Sequence, residues 1–274
     1  MALLAPWIVG IDLGPQSRGA LVFAAWLGHT SGIPVIGLHV RETARSFTTG
    51  MDAESLARTA VEAQQTQFGL PPLDRVEIVT AARAEDGLTA AAEDAEGLVL
   101  GRTRAGDADD ERLGRVTRRV LRTSAAPVVV VPANLTAVGD GPVLLATDLG
   151  PASSAAARWA ASFAAEHGRG LEVVHVVRPR EDPFAPPPEE DLEGARAAGA
   201  IAAWLAAHGV GDRPQHVPGG EPAAQIAEVA AGLRAVLVVT GSRRLAATER
   251  LFAASTSAAL AGRCGCPVAV VPPR

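Results

Sequence analysis

Two aspartates stand at matching places in this chain. Asp12 sits in Ile-Val-Gly-Ile-Asp-Leu-Gly-Pro at residues 8–15, and Asp148 in Leu-Leu-Ala-Thr-Asp-Leu-Gly-Pro at 144–151. An acid closing an apolar run can accept hydrogen bonds from a polar ligand, or from the turn and helix-start amides that Leu-Gly-Pro sets up behind it. Other reactive types are sparse. His39 and His175 lie in two His-Val pairs, with no nucleophile or second ligand at metal spacing, so buried, hydrogen-bonded imidazoles are expected. His29, His167, His208 and His216 form no cluster. Cys264 and Cys266 make one Cys-x-Cys near the C-terminus. Two thiols do not build a structural zinc site without further ligands. Small residues packed beside a strand are the expectation for them, with a redox or metal role as the alternative.

Composition removes several function classes. All 25 basic residues are Arg, and the missing Lys excludes a Walker A phosphate loop and any Lys Schiff-base chemistry. No Gly-x-Ser-x-Gly elbow or His-Glu-x-x-His is present, so no catalytic group and no metal site is assigned. The net charge of −5 argues against a general nucleic-acid binder. Arg115, Arg118, Arg119 and Arg122 fall at helical spacing and read as a solvated helix face rather than a basic patch. No apolar run approaches the ~18 residues that cross a bilayer. The start of the chain lacks the pattern of a signal peptide. A soluble cytoplasmic protein, with no nucleic-acid or membrane partner, is expected.

The elements that must position these residues come in two copies. Asp12 and Asp148 are 136 residues apart, and the same offset carries His39-Val40 onto His175-Val176 and Glu85 onto Glu221. An offset of 140 then carries Gly101 onto Gly241, and Pro127–Pro132 onto Pro267–Pro272. A four-residue length difference between Glu85 and Gly101 would account for the change. Such a repeat over the full length means two copies of one unit, 1–137 and 138–274. Short apolar runs read as buried parallel strands at 7–11, 34–40, 76–80, 98–101 and 128–131, then 143–147, 171–177, a weak 215–217, 236–241 and 268–271. Ala-rich helices lie between them. Ala20, Phe23, Ala24 and Leu27 form an apolar stripe that Ala156, Trp159, Ala160 and Phe163 repeat. Ser17 and Ser153 stand near the starts of those helices as caps. Alternating strands and helices predict an α/β fold of two tandem doubly wound, parallel five-stranded sheets. Ligands of such sheets bind beyond the strands' C-terminal ends, where strand order reverses, and Asp12, Asp148, Gly101 and Gly241 all fall there.

An apolar strand ending in Asp, a His-Val closing the second strand, and a terminal Cys/Ala-Pro-Val-x-Val-Val together resemble the universal stress protein family, over essentially the whole chain. The resemblance implies two domains paired inside one chain as a pseudo-dimer through their last strands, 128–131 and 268–271. It also implies an adenine-nucleotide site in each domain. Asp12 and Asp148 would lie beside base or ribose, and Val40 and Val176 would offer backbone to adenine. Relatives that bind ATP carry Gly-x2-Gly-x9-Gly-[Ser/Thr] after the fourth strand, where glycines admit the phosphates to backbone amides. Read at that spacing, this chain has Gly101, Arg104, Gly114 and Arg115, then Gly241, Arg244, Ala254 and Ser255, followed by Thr256.

Neither motif is intact, and both have Arg in place of the second glycine. Either Arg104 and Arg244 meet phosphate with charge, or their bulk closes the pocket and they point to water. The expected function is a non-enzymatic stress-response or regulatory protein with degenerate nucleotide motifs, acting on unknown protein partners and able to homodimerise. The alternative is an ATP- or AMP-binding switch, with or without slow hydrolysis, that uses mainly the second domain. A more distant reading is an enzyme or electron carrier of the wider adenine-nucleotide α/β group. The Pro-rich stretch at 178–190 has no counterpart in the first copy. It reads as an exposed loop, or as a partner-docking segment anchored by Phe184.

Overall fold

The computed structural model describes residues 5–43, 51–102, 113–177, 190–242 and 256–273. The chain divides into two compact units, Met1–Val138 and Gly139–Arg274. Residues 178–189 of the Pro-rich stretch, with Phe184, lie outside the described residues.

The first unit runs β1 (Trp7–Gly10), α1 (Ser17–Ser31), β2 (Val35–Glu42), α2 (Met51–Phe68), β3 (Arg75–Ala81), α3 (Ala84–Ala91), β4 (Gly97–Arg102), α4 (Arg115–Thr123) and β5 (Val128–Pro132). Its strands lie in the order β3-β2-β1-β4-β5 and pair in parallel throughout. The second unit repeats this plan with β6 (Val143–Ala146), α5 (Ser153–Glu166), β7 (Leu171–Val174), α6 (Glu190–Ala207), β8 (Gln215–His216), α7 (Pro222–Gly232), β9 (Leu237–Gly241), α8 (Thr256–Arg263) and β10 (Val268–Val271). Its order, β8-β7-β6-β9-β10, is the same and again parallel. Both are the doubly wound α/β sheets that the alternating elements predict.

Strands covered on both faces must be apolar along their length. Val128–Val131 and Leu144–Leu145 are accordingly buried almost completely. The helix stripes match: Ala20, Phe23, Ala24 and Leu27 are fully buried in α1, as are Ala156 and Ala160 in α5. Trp159 is half-buried and stacks on Phe163 at 4.9 Å between ring centroids. Strand β7 ends at Val174, short of the expected Val177, and β8 has two residues. Pro214 and Pro218 flank β8 and remove donors from the ladder, so pairing beyond it is reduced to an isolated bridge between Val177 and Gly219.

The length difference between copies is spread more widely than the repeat suggested. The 140 offset already holds at the ends of α2 and α6. There Gly69 (φ 65°) and Gly209 (φ 71°) turn the chain, and Leu70 and Val210 donate to the Gln65 and Leu205 carbonyls. Helices α3 and α7 begin 138 residues apart. Glu85 therefore lies inside the first turn of α3, whereas Glu221 is the N-cap of α7 and accepts from the Ala223 and Ala224 amides. The connections around β3 and β8, and a longer α7 (11 residues against 8 in α3), absorb these changes.

Glycine matters most where α1 crosses the sheet. A Cβ on Gly19 would lie 1.9 Å from the Pro132 carbonyl oxygen, a backbone atom that cannot swing aside. Gly199, inside α6, has nothing within 4 Å of that position. Gly19→Ala should thus destabilise the chain by about 1–3 kcal/mol or more. Gly199→Ala should stabilise it by up to ~1 kcal/mol through helix propensity. Urea denaturation of the two variants checks both signs.

His167 closes α5 at 6% exposure, and burial, then the Arg169 charge, lowers its pKa from 6.5 to about 4. The unfolded chain takes up this proton below 6.5 and the folded chain only near 4, so protonation favours unfolding. The contribution is complete above 6.5 and is lost as pH falls toward about 4. His167→Leu should remove up to about 1.4 kcal/mol per pH unit from the acid slope of stability in that window, measured by denaturation between pH 4 and 7.

Candidate functional site

Strand order reverses between β1 and β4 in the first unit, and there a cavity of about 730 Å³ opens. Its floor comes from Gly10–Leu13 at the end of β1, Gln16 and Ser17 at the start of α1, Leu38–Glu42 of β2, and Leu100 and Gly101 of β4. Leu56, Ala57 and Ala60 of α2, Ala84 and Leu88 of α3, and Gly114–Thr117 at the start of α4 enclose it.

Asp12 is held by its own turn. Its Oδ1 accepts from the Gly14 amide (2.9 Å) and the Ser17 hydroxyl (2.6 Å), and its Oδ2 from Gln16 Nε2 (2.6 Å). Its amide donates to Ser17 Oγ (3.1 Å), which takes this residue out of the strand ladder. The turn needs Leu13 at φ 62°, a left-handed conformation that a branched residue rarely adopts. Asp148 repeats the pattern with the Gly150 amide and Ser153 hydroxyl, and Leu149 has φ 60°. Ser17 and Ser153 therefore do not cap their helices: each is the first helical residue, and its side chain binds the aspartate instead. Turn satisfaction accounts for both acids.

The histidines also do structural work. His39 donates from Nδ1 to the Ile11 carbonyl at 2.8 Å, and His175 to the Thr147 carbonyl at 2.9 Å. Each terminates the edge of the first strand of its unit. Beyond that edge the second strand continues. Residues 7–10 pair with 35–38, but β2 runs on to Glu42. Leu38 accepts from the Ile11 amide, and alternate residues of a strand face the same neighbour. Val40 thus presents its backbone toward the side where β1 has ended, into the cavity. By the same alternation Val176 faces past β6, since Val174 accepts from Thr147.

Gly101 and Gly241 have a packing reason. A Cβ on Gly101 would meet the Gln16 carbonyl oxygen at 2.4 Å, and one on Gly241 would meet the Ala152 carbonyl oxygen at 2.4 Å. The fourth strand of each unit therefore touches the start of its first helix through backbone alone. Gly114 is the N-cap of α4 and contributes no side-chain cap, and Arg115 follows as the first helical residue. In the second unit, Thr256 opens α8 and the next residue, Ser257, donates to the Gly241 carbonyl at 2.9 Å. Sequence reasoning stopped one hydroxyl short of this contact. Arg104, Arg244 and Ser255 lie outside the described residues.

Glu42 was also missed. Its Oε1 accepts from the Ala84 amide at 3.1 Å, capping α3 from a neighbouring strand, and lies 3.8 Å from Arg115. Arg119 approaches the buried Glu85 carboxylate at 3.4 Å. Two of the four α4 arginines expected on a solvated face are thus engaged by acids. Among the described residues, no group of three or more His, Cys, Asp or Glu is placed to hold a metal, and no helix is long and apolar enough to cross a membrane.

The universal stress protein family matches residues 7–132 and 141–272, and the chain belongs to that family. A universal stress protein of Thermus aquaticus, encoded in the QAH/OAS sulfhydrylase 3′ region, is 35% identical over 134 residues, covering 47% of this chain and 96% of that protein. Among solved structures, a universal stress protein from Archaeoglobus fulgidus is 18% identical, covers 98% of both chains and superposes with a TM-score of 0.66. A protein of unknown function from Pseudomonas aeruginosa is 17% identical over 98% of this chain and 93% of its own, with a TM-score of 0.68. Both share the fold across the whole chain.

Glu42→Ala should cost roughly 0.5–2 kcal/mol by uncapping α3, whereas Glu42→Gln, which keeps an acceptor oxygen, should recover most of that loss. Chemical denaturation of the pair distinguishes the cap from the charge.

Proposed function

We propose that this tandem universal stress protein is a non-catalytic regulatory protein whose first domain holds an adenine nucleotide. The observation that carries the reading is the 730 Å³ cavity, which takes in both the open edge of β2 at Val40 and the N-terminus of α4. Its volume falls within the roughly 300–1,000 Å³ of small-molecule sites. A planar base suits one part of the wall, where Leu38, Leu56, Ala57 and Leu88 surround the Val40 backbone. A phosphate suits another, where Gly114 leaves the first α4 amides without a side-chain cap and Arg115 adds a cation. Here Arg115, standing where ATP-binding relatives carry a hydroxyl, replaces that contact with charge.

The second-domain set of Asp148, Val176, Gly241 and Thr256 sits at the matching strand ends and could serve a second ligand. The described cavity, however, is lined by Asp12, Val40, Gly101 and Gly114. Among the described residues of its lining, the acids Asp12 and Glu42 balance Arg41 and Arg115, which favours a ligand of low charge such as a monophosphate over a triphosphate.

Calorimetric titration with adenosine, AMP and ATP tests the reading. AMP should bind more tightly than adenosine. Arg115→Ala should weaken AMP by about tenfold or more, the worth of a charge-assisted hydrogen bond, while leaving adenosine unchanged. Ala60→Trp, which fills the cavity, should abolish both. Absence of binding by all three ligands at millimolar concentration would leave a protein that acts through its surfaces alone.

A further inference from the structure

The turn between the last helix and last strand is built twice, with different chemistry. In the first unit, the Ser124 amide donates to the Val120 carbonyl at 2.8 Å. The Ser124 hydroxyl donates to the Ala126 carbonyl at 2.9 Å and accepts from the Ala126 amide at 3.2 Å. In the second, the Cys264 amide donates to the Leu260 carbonyl, also at 2.8 Å. Cys264 and Cys266 stand where Ser124 and Ala126 stood. The two strands that follow leave their turns alike: the Pro127 and Pro267 carbonyls accept from Leu98 and Val238, both at 2.9 Å. A Ser/Ala pair thus makes the same turn, and the fold has no need of two sulfurs in this place.

The sulfurs nevertheless meet. Cys264 Sγ and Cys266 Sγ are 3.4 Å apart, both in the reduced thiol form, with Cys264 buried and Cys266 half-exposed next to the exposed Gly265. Van der Waals contact between thiols two residues apart leaves a movement of little more than 1 Å to a bonded S–S distance of about 2.05 Å. We propose that Cys264 and Cys266 form a dithiol–disulfide redox site, oxidised by hydrogen peroxide and reset by a small dithiol. The half-exposed Cys266 sulfur attacks one peroxide oxygen, the O–O bond breaks, and water leaves as a sulfenic acid forms. The Cys264 sulfur then attacks the Cys266 sulfur, the S–O bond breaks and a second water leaves. Two thiols and one peroxide give one disulfide and two waters. The sulfurs lose two electrons and the peroxide oxygens gain them.

The environment sets the pace. The hydrogen bond that the Cys266 thiol makes to Cys264, then burial, hold that thiol well above its usual range. The reactive thiolate is thus scarce at neutral pH, and oxidation accelerates as pH rises. The short ring that closes is strained, which makes the bond easy to reduce.

Mass spectrometry of the full chain after brief peroxide treatment and acid quenching tests the site. The expected product is a monomer lighter by two hydrogens, with both thiols lost, formed faster at pH 9 than at pH 7 and restored by dithiothreitol. Cys264→Ser, which installs the residue of the first copy, should instead let peroxide add oxygen to Cys266 with no loss of hydrogens. Retention of both thiols, chain-to-chain disulfides, or oxygen addition to the parent chain without the two-hydrogen loss would each overturn the proposal. Because the readout is on the parent chain, it does not depend on any variant folding.

Discussion

Backbone contact between the start of the first helix and the end of the fourth strand is the constraint on which each unit depends. At Gly101 and Gly241 only a hydrogen fits between strand and helix, because the Gln16 and Ala152 carbonyls occupy the space of a side chain. That approach fixes where α1 and α5 begin. The chain must then turn sharply after the first strand, in the few residues from Asp12 to Ser17 or Asp148 to Ser153. The left-handed Leu13 and Leu149 are the strain of that turn. The carboxylate that gathers amide and hydroxyl donors within it offsets the strain. The crevice beyond the strand ends is what remains once this corner is set. Its opening between β1 and β4 follows from the reversal of strand order, as in other doubly wound sheets.

Much of this was legible in the sequence because the signals are local and repeated. Apolar runs too short for helices and bounded by turn residues marked the strands. The doubled Asp-Leu-Gly-Pro marked the corners. What stayed hidden depends on contacts between segments remote in sequence. Glu42 caps a helix 42 residues away, and no local pattern distinguishes it from a surface acid. Ser17 looked like a cap because hydroxyls near helix starts usually are, but an acid already at the corner competes for it. Glu85 and Glu221 aligned by counting, yet compensating length changes on either side place one inside a helix and the other ahead of one. The cavity in the first unit was invisible for the same reason: its walls come from seven separate elements.

The arginines illustrate how composition can mislead about partners. Four on one short helix suggest either a binding patch or idle surface. In the structure Arg119 serves the buried Glu85, while Arg115 stands at the cavity beside Glu42. A buried carboxylate needs a counter-charge more than a solvated helix needs another cation. The patch is therefore partly neutralised by neighbouring acids, and its net field is weaker than its sequence suggests.

Two copies in one chain also separate what the backbone demands from what it permits. Where both copies carry the same residue, a backbone reason is visible: the glycines at the strand–helix contact, the aspartates in the strained turns, the histidines on strand-edge carbonyls. Identity between copies is thus evidence for fold. Where the copies differ, the same contact is made by other chemistry. Arg18 lies over the Phe68 ring at 5.6 Å, and at the matching helix–helix contact Ser154 bonds His208 Nε2 at 2.8 Å. A helix capped by Glu42 in one unit is capped by Glu221 in the other. These substitutions preserve the geometry, so the contacts are structural even though a serine beside a histidine resembles a catalytic pair. Functional divergence must then be sought at differences that change chemistry without a packing reason. Arg115 at the cavity and the Cys264–Cys266 thiols both meet that description.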